Sequence, residues 1–128
     1  MKERTQHFAL QIIRLIELLP RNRIADVLGN QLLRCGTSVG ANYRAACRAR
    51  SPADFIAKMG IVEEETDESI YWMELLIAAG IIPSNSIQPL LKEAHELLAI
   101  TVSSINTARK KSAIRISQSA MKKGTNQA

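Results

Sequence analysis

The chain has 128 residues, a net charge of +5 and 46% apolar but only 4% aromatic residues. This length fits one domain with its own core, and an apolar set rich in Leu, Ile and Ala favours helices over strands. No basic-then-apolar leader opens the chain, and no apolar run approaches the roughly 18 residues of a membrane span. We therefore expect a reduced, cytoplasmic protein without a membrane partner.

The first predicted helix has one wide apolar face. Phe8, Ile12, Leu15 and Leu19 are spaced by four, three and four positions, which places them on the same side of a helix. Pro20 ends this pattern, because proline lacks the backbone N–H that a helix interior needs. The sequence therefore predicts an amphipathic helix that packs against a core.

A long second helix is predicted within residues 21–50. Its small residues Gly36, Gly40 and Ala41 would each weaken an isolated helix by up to about 1 kcal/mol, but they let a neighbouring helix approach closely. We expect a close crossing at Gly36 and Gly40, with Gly36 as a point where the helix can bend. The apolar positions of this helix are Ile24, Leu28, Leu32, Cys35, Val39 and Ala46.

The third and fourth predicted helices each carry one apolar seam. Ser51 supplies an N-cap and Pro52 a favoured first-turn residue, so the third helix begins there. Gly80, followed by the turn sequence PSNS, predicts a left-handed helix end. The seams are Phe55, Met59, Val62, Thr66, Ser69, Met73 and Leu76 in the third helix, and Ile87, Leu90, Leu91, Ala94, Leu97, Leu98, Thr101 and Ile105 in the fourth.

Four amphipathic helices with short connections predict an all-α, up-down-up-down four-helix bundle over residues 1–108. After Ala108 the periodicity weakens, so residues 109–128 are predicted to form a basic, disordered tail. The two middle helices, at about 27 residues each, would reach roughly 40 Å, which is longer than a compact small monomer needs. We expect other subunits to cover part of their surface, including Ile56, Ile61, Ile70, Trp72 and Ile77.

Clustered carboxylates on the third helix raise the question of a metal or catalytic site. A di-iron bundle needs Glu-x-x-His pairs, but the residues three positions before His7 and His95 are Arg4 and Lys92. Neither histidine lies in a motif that supports a nucleophile. The sequence therefore predicts a solvated or interfacial acidic face, no metal, no cofactor and no enzymatic activity. The acids are Glu63, Glu64, Glu65, Asp67 and Glu68.

A stripe of basic residues runs along the second helix, since Arg23, Asn30, Arg34, Arg44 and Arg48 fall within a narrow arc. These arginines either pair with acids of the third helix, within or between subunits, or contact phosphates. The spacing alone does not separate the two. The candidate nucleic-acid-binding residues are those of the stripe and the tail: Arg23, Arg34, Arg44, Arg48, Arg109, Lys110, Lys111, Arg115, Lys122 and Lys123.

The second and third helices resemble the four-helix bundle proteins encoded in intervening sequences of bacterial large-subunit ribosomal RNA genes. The resemblance covers about residues 8–108. Many members carry an Asn-Ile-Ala-Glu-Gly-like run where this chain has residues 42–46, Asn-Tyr-Arg-Ala-Ala, so any role of that glutamate is not carried over. The matching elements are Gln31, Leu32, Arg34, Ser38, Asn42, Arg50, Ser51, Phe55, Glu64, Asp67, Glu68 and Ser69, and the ELL..AG pattern from Glu74 to Gly80.

The resemblance implies a left-handed bundle that assembles as a ring, a pentamer, without known enzymatic activity. A related group, the accessory variability proteins of diversity-generating retroelements, is similar in fold and binds nucleic acid and a reverse transcriptase. We therefore expect a non-enzymatic, ring-forming bundle that binds RNA or DNA through basic surfaces, beside a protein partner. The alternatives are a purely structural or protein-interaction oligomer, for example an accessory partner of a reverse transcriptase, and an enzyme, which has the least support.

Overall fold

The computed structural model describes the backbone of residues 1–126 and the side chains of residues 1–122. This part of the chain is all-α and contains no strand. Its four helices are α1 (Lys2–Glu17), α2 (Arg23–Cys47), α3 (Pro52–Ala78) and α4 (Ser84–Asn126). Each helix packs against the next, and α4 also contacts α1. The predicted four-helix bundle is confirmed, while its handedness and its assembly stay predictions.

Side-chain and backbone caps fix the helix ends. Asn22 accepts a hydrogen bond from the Ala25 amide at 2.9 Å, and Ser51 accepts one from the Asp54 amide at 3.0 Å. At the end of α3, Gly80 has φ +71°, and the Ile81 amide donates to the carbonyl of Leu76 at 3.0 Å. This is a Schellman ending, which needs a left-handed residue that glycine supplies without strain. The predicted start at Ser51 and end at Gly80 are confirmed.

The predicted seams form the core. Phe55, Leu91 and Leu98 are only partly buried, but the other seam residues of α3 and α4 are buried. Polar members of the seams are satisfied locally, since the Thr66 and Thr101 hydroxyls each donate to the carbonyl one turn earlier at 2.7 Å. Burying these hydroxyls therefore leaves no unpaired polar atom.

The sequence places Ile24 on the apolar side of α2, and this prediction is wrong. Ile24 is 64% exposed and the neighbouring Ala25 is buried, so Ala25 faces the bundle in the first turn of α2. The predicted cover of apolar residues of α3 by other subunits stays a prediction. Ile70 is buried, and Ile56, Trp72 and Ile77 pack partly buried against the same core, leaving Ile61 exposed. The reason is that α3 packs against both α2 and α4, so its buried arc is wider than one seam.

The close crossing predicted at two glycines of α2 is confirmed, and α1 is the partner helix. A Cβ atom on Gly36 would lie 2.9 Å from Ile12 Cγ1, and one on Gly40 would lie 3.2 Å from Thr5 Oγ1. Any side chain at Gly36 would therefore push α1 away. The helix runs through this point without interruption.

Helix α4 extends far beyond the residues that it buries. The sequence predicts a disordered tail from residue 109, but the structure continues the helix to Asn126, and we call residues 109–126 the α4 extension. Residues 109–123 contain no proline or glycine that would end a helix. No residue of α4 after Ile105 is buried among the described side chains. The division of the chain at residue 108 stays a prediction.

Within residues 1–126, none of the helices combines the length and the apolarity that a membrane crossing requires.

Candidate nucleic-acid interface

The arginines of the α2 stripe lie in three different environments. Arg23 is the first residue of α2, and Arg48 is its C-cap. These two lie about 37 Å apart along the helix axis, at about 1.5 Å per residue. Arg34 lies between them. The stripe therefore spans both ends of the bundle and does not form one compact patch.

Arg34 is paired within its own chain. Its guanidinium donates hydrogen bonds to Glu68 and, at 3.4 Å, to Glu65 of α3. The Trp72 indole N–H donates to the same Glu68 carboxylate at 3.2 Å. Hydrogen bonds from Arg34 and Trp72 lower the pKa of Glu68, and the Glu68 carboxylate raises the pKa of Arg34. For Arg34, the structure therefore favours pairing with acids of the third helix.

Arg44 and Arg48 differ from Arg34, because both are exposed and form no ion pair in the described part of the chain. Together they line two adjoining grooves, which we call the basic grooves. One, of about 510 Å³, lies between α1 and α2 and also contains Lys2. The other, of about 360 Å³, contains Lys58. Glu3 is the one acidic residue that lines them.

Small residues and one ion pair shape these grooves. Gly40 and Ala41 line the first groove, and their lack of bulk leaves space between α1 and α2. In the second groove, Lys58 donates to Asp54 at 2.9 Å, one helical turn earlier in the chain. That hydrogen bond lowers the pKa of Asp54. The cations without an ion pair in these grooves are therefore Lys2, Arg44 and Arg48.

The α4 extension adds a second group of cations at the same end of the bundle. Because α2 and α4 both run antiparallel to α3, the C-terminal end of α2 lies where α4 leaves the bundle. Residues 97–128 contain no acid. The side chain of Lys123, also predicted to bind nucleic acid, lies outside the described side chains. The exposed cations of the extension are Arg109, Lys110, Lys111, Arg115 and Lys122.

The structure therefore brings together some of the predicted residues and separates others. Arg44 and Arg48 lie at the same end of the bundle as the α4 extension, while Arg23 lies at the opposite end. Lys2 and Lys58 join the arginines, although sequence reasoning did not select them. They lie on α1 and α3, so no spacing within one segment could have revealed them.

Within the described residues, no group of three or more His, Cys, Asp or Glu side chains could hold a metal ion. Cys35 is buried, and burial raises the pKa of its thiol, which accepts a hydrogen bond from Ser69 at 3.3 Å. An ion cluster that sequence reasoning missed joins Arg4 to Glu93 and Glu96, each at 2.6 Å.

The acidic run of α3 has two sides. Glu65 and Glu68 turn toward Arg34 and pair with its guanidinium. Glu64, Asp67 and Glu74 are exposed and make no ion pair within the part of the chain that the structure describes. Helical spacing places them on the same side of α3 as the exposed side chains of Ile61 and Tyr71. We call the side of α3 formed by these five residues its outer face.

A family match covers most of the bundle and ends before the α4 extension. The family model described as 23S rRNA-intervening sequence protein matches residues 1–103. The chain is 36% identical to a protein of unknown function from the S23 ribosomal protein family of Bacteroides thetaiotaomicron, whose crystal structure was determined at 1.70 Å resolution. The similarity covers 81% of this chain and 96% of that one, with a TM-score of 0.76. No curated protein shows significant similarity.

Proposed function

Because the chain belongs to the 23S rRNA-intervening sequence protein family, we propose that it is a non-enzymatic bundle protein that binds RNA or DNA in the cytoplasm. The observation that carries this proposal is the pair Arg44 and Arg48, two exposed arginines without an ion pair in the described residues. Both line the two basic grooves. Planar guanidinium groups bind two phosphate oxygens at once, which suits a nucleic-acid backbone.

The lining of the grooves favours phosphate contacts over base recognition. No aromatic side chain lines either groove, so stacking on bases has no support there. Binding through phosphates alone is nearly indifferent to sequence and falls steeply with salt. The exposed cations of the α4 extension are a second support.

We also propose that the protein acts as a homo-oligomer, the pentameric ring that the family resemblance implies. Repeating the basic grooves in every subunit would add weak phosphate contacts through multivalency. A purely structural or protein-interaction oligomer is the second candidate function. It is favoured by the exposed apolar residues of the outer face of α3, whereas Arg34 does not support nucleic-acid binding, because its guanidinium is paired within the chain.

The test compares two pairs of exposed arginines at opposite ends of the bundle. Fluorescence anisotropy would measure the affinity of the full chain for a labelled RNA, single-stranded and duplex, over a salt series. The first variant, Arg44→Gln with Arg48→Gln, removes both arginines of the basic grooves. The matched control, Arg14→Gln with Arg21→Gln, makes the same charge change where α1 ends.

We expect the groove variant to lose affinity and the control to retain it. Each phosphate contact contributes about 0.7 to 0.9 to the slope of log affinity against log salt, so the slope should fall by about 1.4 to 1.8. Arg34→Gln should leave the slope unchanged, since Arg34 is paired with Glu65 and Glu68. Equal affinity and equal slope for the groove variant and the wild type would refute the proposed site.

A further inference from the structure

We propose that the side of the bundle formed by α2 and α3, which we call the α2–α3 face, docks on the same face of a second copy of the chain. A two-fold axis parallel to the helices relates the two copies, so that α2 of each copy faces α3 of the other. This contact goes beyond the proposed function, because it is complete with two copies and is distinct from any contact that closes a ring.

Contacts within one chain define the middle and both ends of the α2–α3 face. In the middle, Arg34 of α2 pairs with Glu68 of α3. Where α2 begins, Ile24 lines the same groove as Ala79, which follows α3. Where α2 ends, its residues line a groove with Lys58 of α3. The two helices therefore lie side by side in opposite directions over the length of this face.

A strip of regularly spaced residues runs along α2 on this face. Each is seven positions after the last, which places them on one side of the helix and about 10 Å apart along its axis. Val27 is 55% exposed, Arg34 is about half exposed, and Ala41 is exposed. The strip consists of Val27, Arg34, Ala41 and Arg48.

Helix α3 carries a strip with the same spacing. Ile61 is 41% exposed, and Leu75 is partly buried. The same seven-residue step relates each of them to Glu68, so all three lie on the side of α3 that Arg34 contacts. The strip consists of Asp54, Ile61, Glu68 and Leu75.

The pair of Arg34 and Glu68 sets the register of the two strips. Because α2 and α3 run in opposite directions, seven residues forward along α2 correspond to seven residues back along α3. The two strips therefore share four levels, at which apolar pairs alternate with pairs of a base and an acid. The levels are Val27 with Leu75, Arg34 with Glu68, Ala41 with Ile61, and Arg48 with Asp54.

This alternation makes the face complementary to itself. A two-fold axis parallel to the helices exchanges the two strips and keeps every level in place. Val27 of one copy then meets Leu75 of the second copy, and Ile61 meets Ala41, whose small side chain allows a close approach. At the two charged levels an arginine of one copy faces a carboxylate of the other, and no two like charges of the strips face each other.

The charged level in the middle of the face keeps hydrogen-bonding capacity for a second copy. Within the described residues, Glu68 accepts from Arg34 and Trp72 through Oε1 alone, so Oε2 is left for a donor from another chain. The guanidinium of Arg34 has five N–H donors and can serve two carboxylates at once. Glu64, one turn before Glu68, is exposed and has no ion pair in the described part of the chain. An arginine from a second copy would therefore find an acceptor here.

Docking would leave one of the two basic grooves open. The groove that contains Lys58 lies between α2 and α3 and would be covered. The groove that contains Lys2 and Arg44 lies between α1 and α2 and would stay accessible to nucleic acid. Nucleic-acid binding is judged separately, by the arginine variants of the basic grooves.

The first test measures the mass of the full chain, freed of nucleic acid by nuclease treatment, by sedimentation velocity at micromolar concentration. The variant Val27→Asp with Ile61→Asp places carboxylates at both apolar levels, on side chains that are exposed in the single chain. The matched control, Leu10→Asp with Leu18→Asp, makes the same change at exposed apolar residues in α1 and at its C-cap. Circular dichroism checks that each variant retains its helices.

We expect the wild type and the control to contain an even number of chains of 14.2 kDa. The variant should have half the wild-type mass, because loss of a two-fold contact separates an assembly into two equal parts. Half-mass particles of five chains would support the proposed ring, whereas single chains would reject the ring and still support this inference. A wild type with an odd number of chains, or a variant that keeps the wild-type mass, would overturn the inference and leave the face to a different partner.

Disulfide trapping tests directly whether α2 faces α3 of a second copy. Chains with Ala41→Cys and chains with Ile61→Cys, each also carrying Cys47→Ser to remove the exposed native thiol, would be mixed and oxidised mildly. The mixture should form disulfide-linked dimers, since two cysteines can link only when their Cα atoms lie within about 7 Å. Either variant alone should link much less, because its cysteines would not face each other. Equal linkage in the mixture and in the separate variants would overturn the inference.

Discussion

Helix α4 is one continuous helix in two different environments. Ile105 and Ile116 lie three turns apart on nearly the same side of it, yet Ile105 is 3% exposed and Ile116 is 69% exposed. The difference lies in the neighbours, since α1 and α3 cover the first part of α4 and the extension passes beyond the end of α3. Helical conformation therefore follows from local sequence, whereas burial follows from which helices are present at that level of the bundle.

The largest expected effect comes from truncating the same side chain in both environments. Ile105→Ala should destabilise the bundle by about 2 to 5 kcal/mol, through lost burial and the cavity left behind. Ile116→Ala should change the free energy of unfolding by less than about 0.5 kcal/mol, as exposed positions do. Urea unfolding monitored by circular dichroism measures both. Equal destabilisation by the two substitutions would show that the extension packs as firmly as the bundle.

Two glycines extend the comparison from side chains to backbone. Gly36 lies against α1, and a Cβ atom there would be 2.9 Å from Ile12, whereas a Cβ atom on Gly60 would meet nothing within 4 Å. Gly36→Leu should therefore overpack the crossing and destabilise the protein by about 1 to 3 kcal/mol.

Gly60→Ala is the matched control on the open side of α3. It should stabilise the protein by up to about 1 kcal/mol, because alanine favours the helix. Thermal unfolding of both variants shows whether each substitution stabilises or destabilises the protein. A Gly36→Leu variant that melts with the wild type would mean that α1 does not press on α2 at this point.

Most of the bundle could be predicted from the sequence, because its features are local or periodic. The seam of α3 alternates steps of four and three residues, and that spacing identified Met59 to Leu76 as core. Ser51 and Gly80 were recognisable because capping residues act on their own turn. The burial of Ile24 was wrongly predicted. A helical pattern shows which side of a helix is apolar, but it does not show which residue at the edge of that side contacts the neighbouring helix.

The candidate site was less predictable, because it depends on which helices meet. Arg34 and Arg44 fall in the same arc of α2 and look alike in the sequence. Only the position of α3 shows that Arg34 meets Glu68, while Arg44 faces a groove. Lys2 lines the same groove but lies on α1, far from Arg44 in the sequence. The helical state of the α4 extension was missed because weak apolar periodicity was taken as a sign of disorder, although local propensity alone allows a helix there.

The smallest expected effect is a difference in acid sensitivity between the bundle and the α4 extension. The Arg4 hydrogen bond lowers the pKa of Glu93 below its ordinary value of 4.5, whereas the α4 extension has no carboxyl group to titrate. Since the folded state holds this proton less tightly, the stabilisation is complete above about pH 4.5 and is lost as the pH falls through the folded-state pKa. Urea unfolding from about pH 6 to about pH 3 should show the wild type losing stability more steeply than Glu93→Gln. The effect is small because Arg4 is partly exposed.

Glu74→Gln is the control for this experiment. It removes an exposed acid of α3 that has no ion pair among the described residues, so its stability should depend on pH as steeply as that of the wild type. If Glu93→Gln and the wild type shared one pH profile, the Arg4–Glu93 pair would not be contributing to the stability of the bundle.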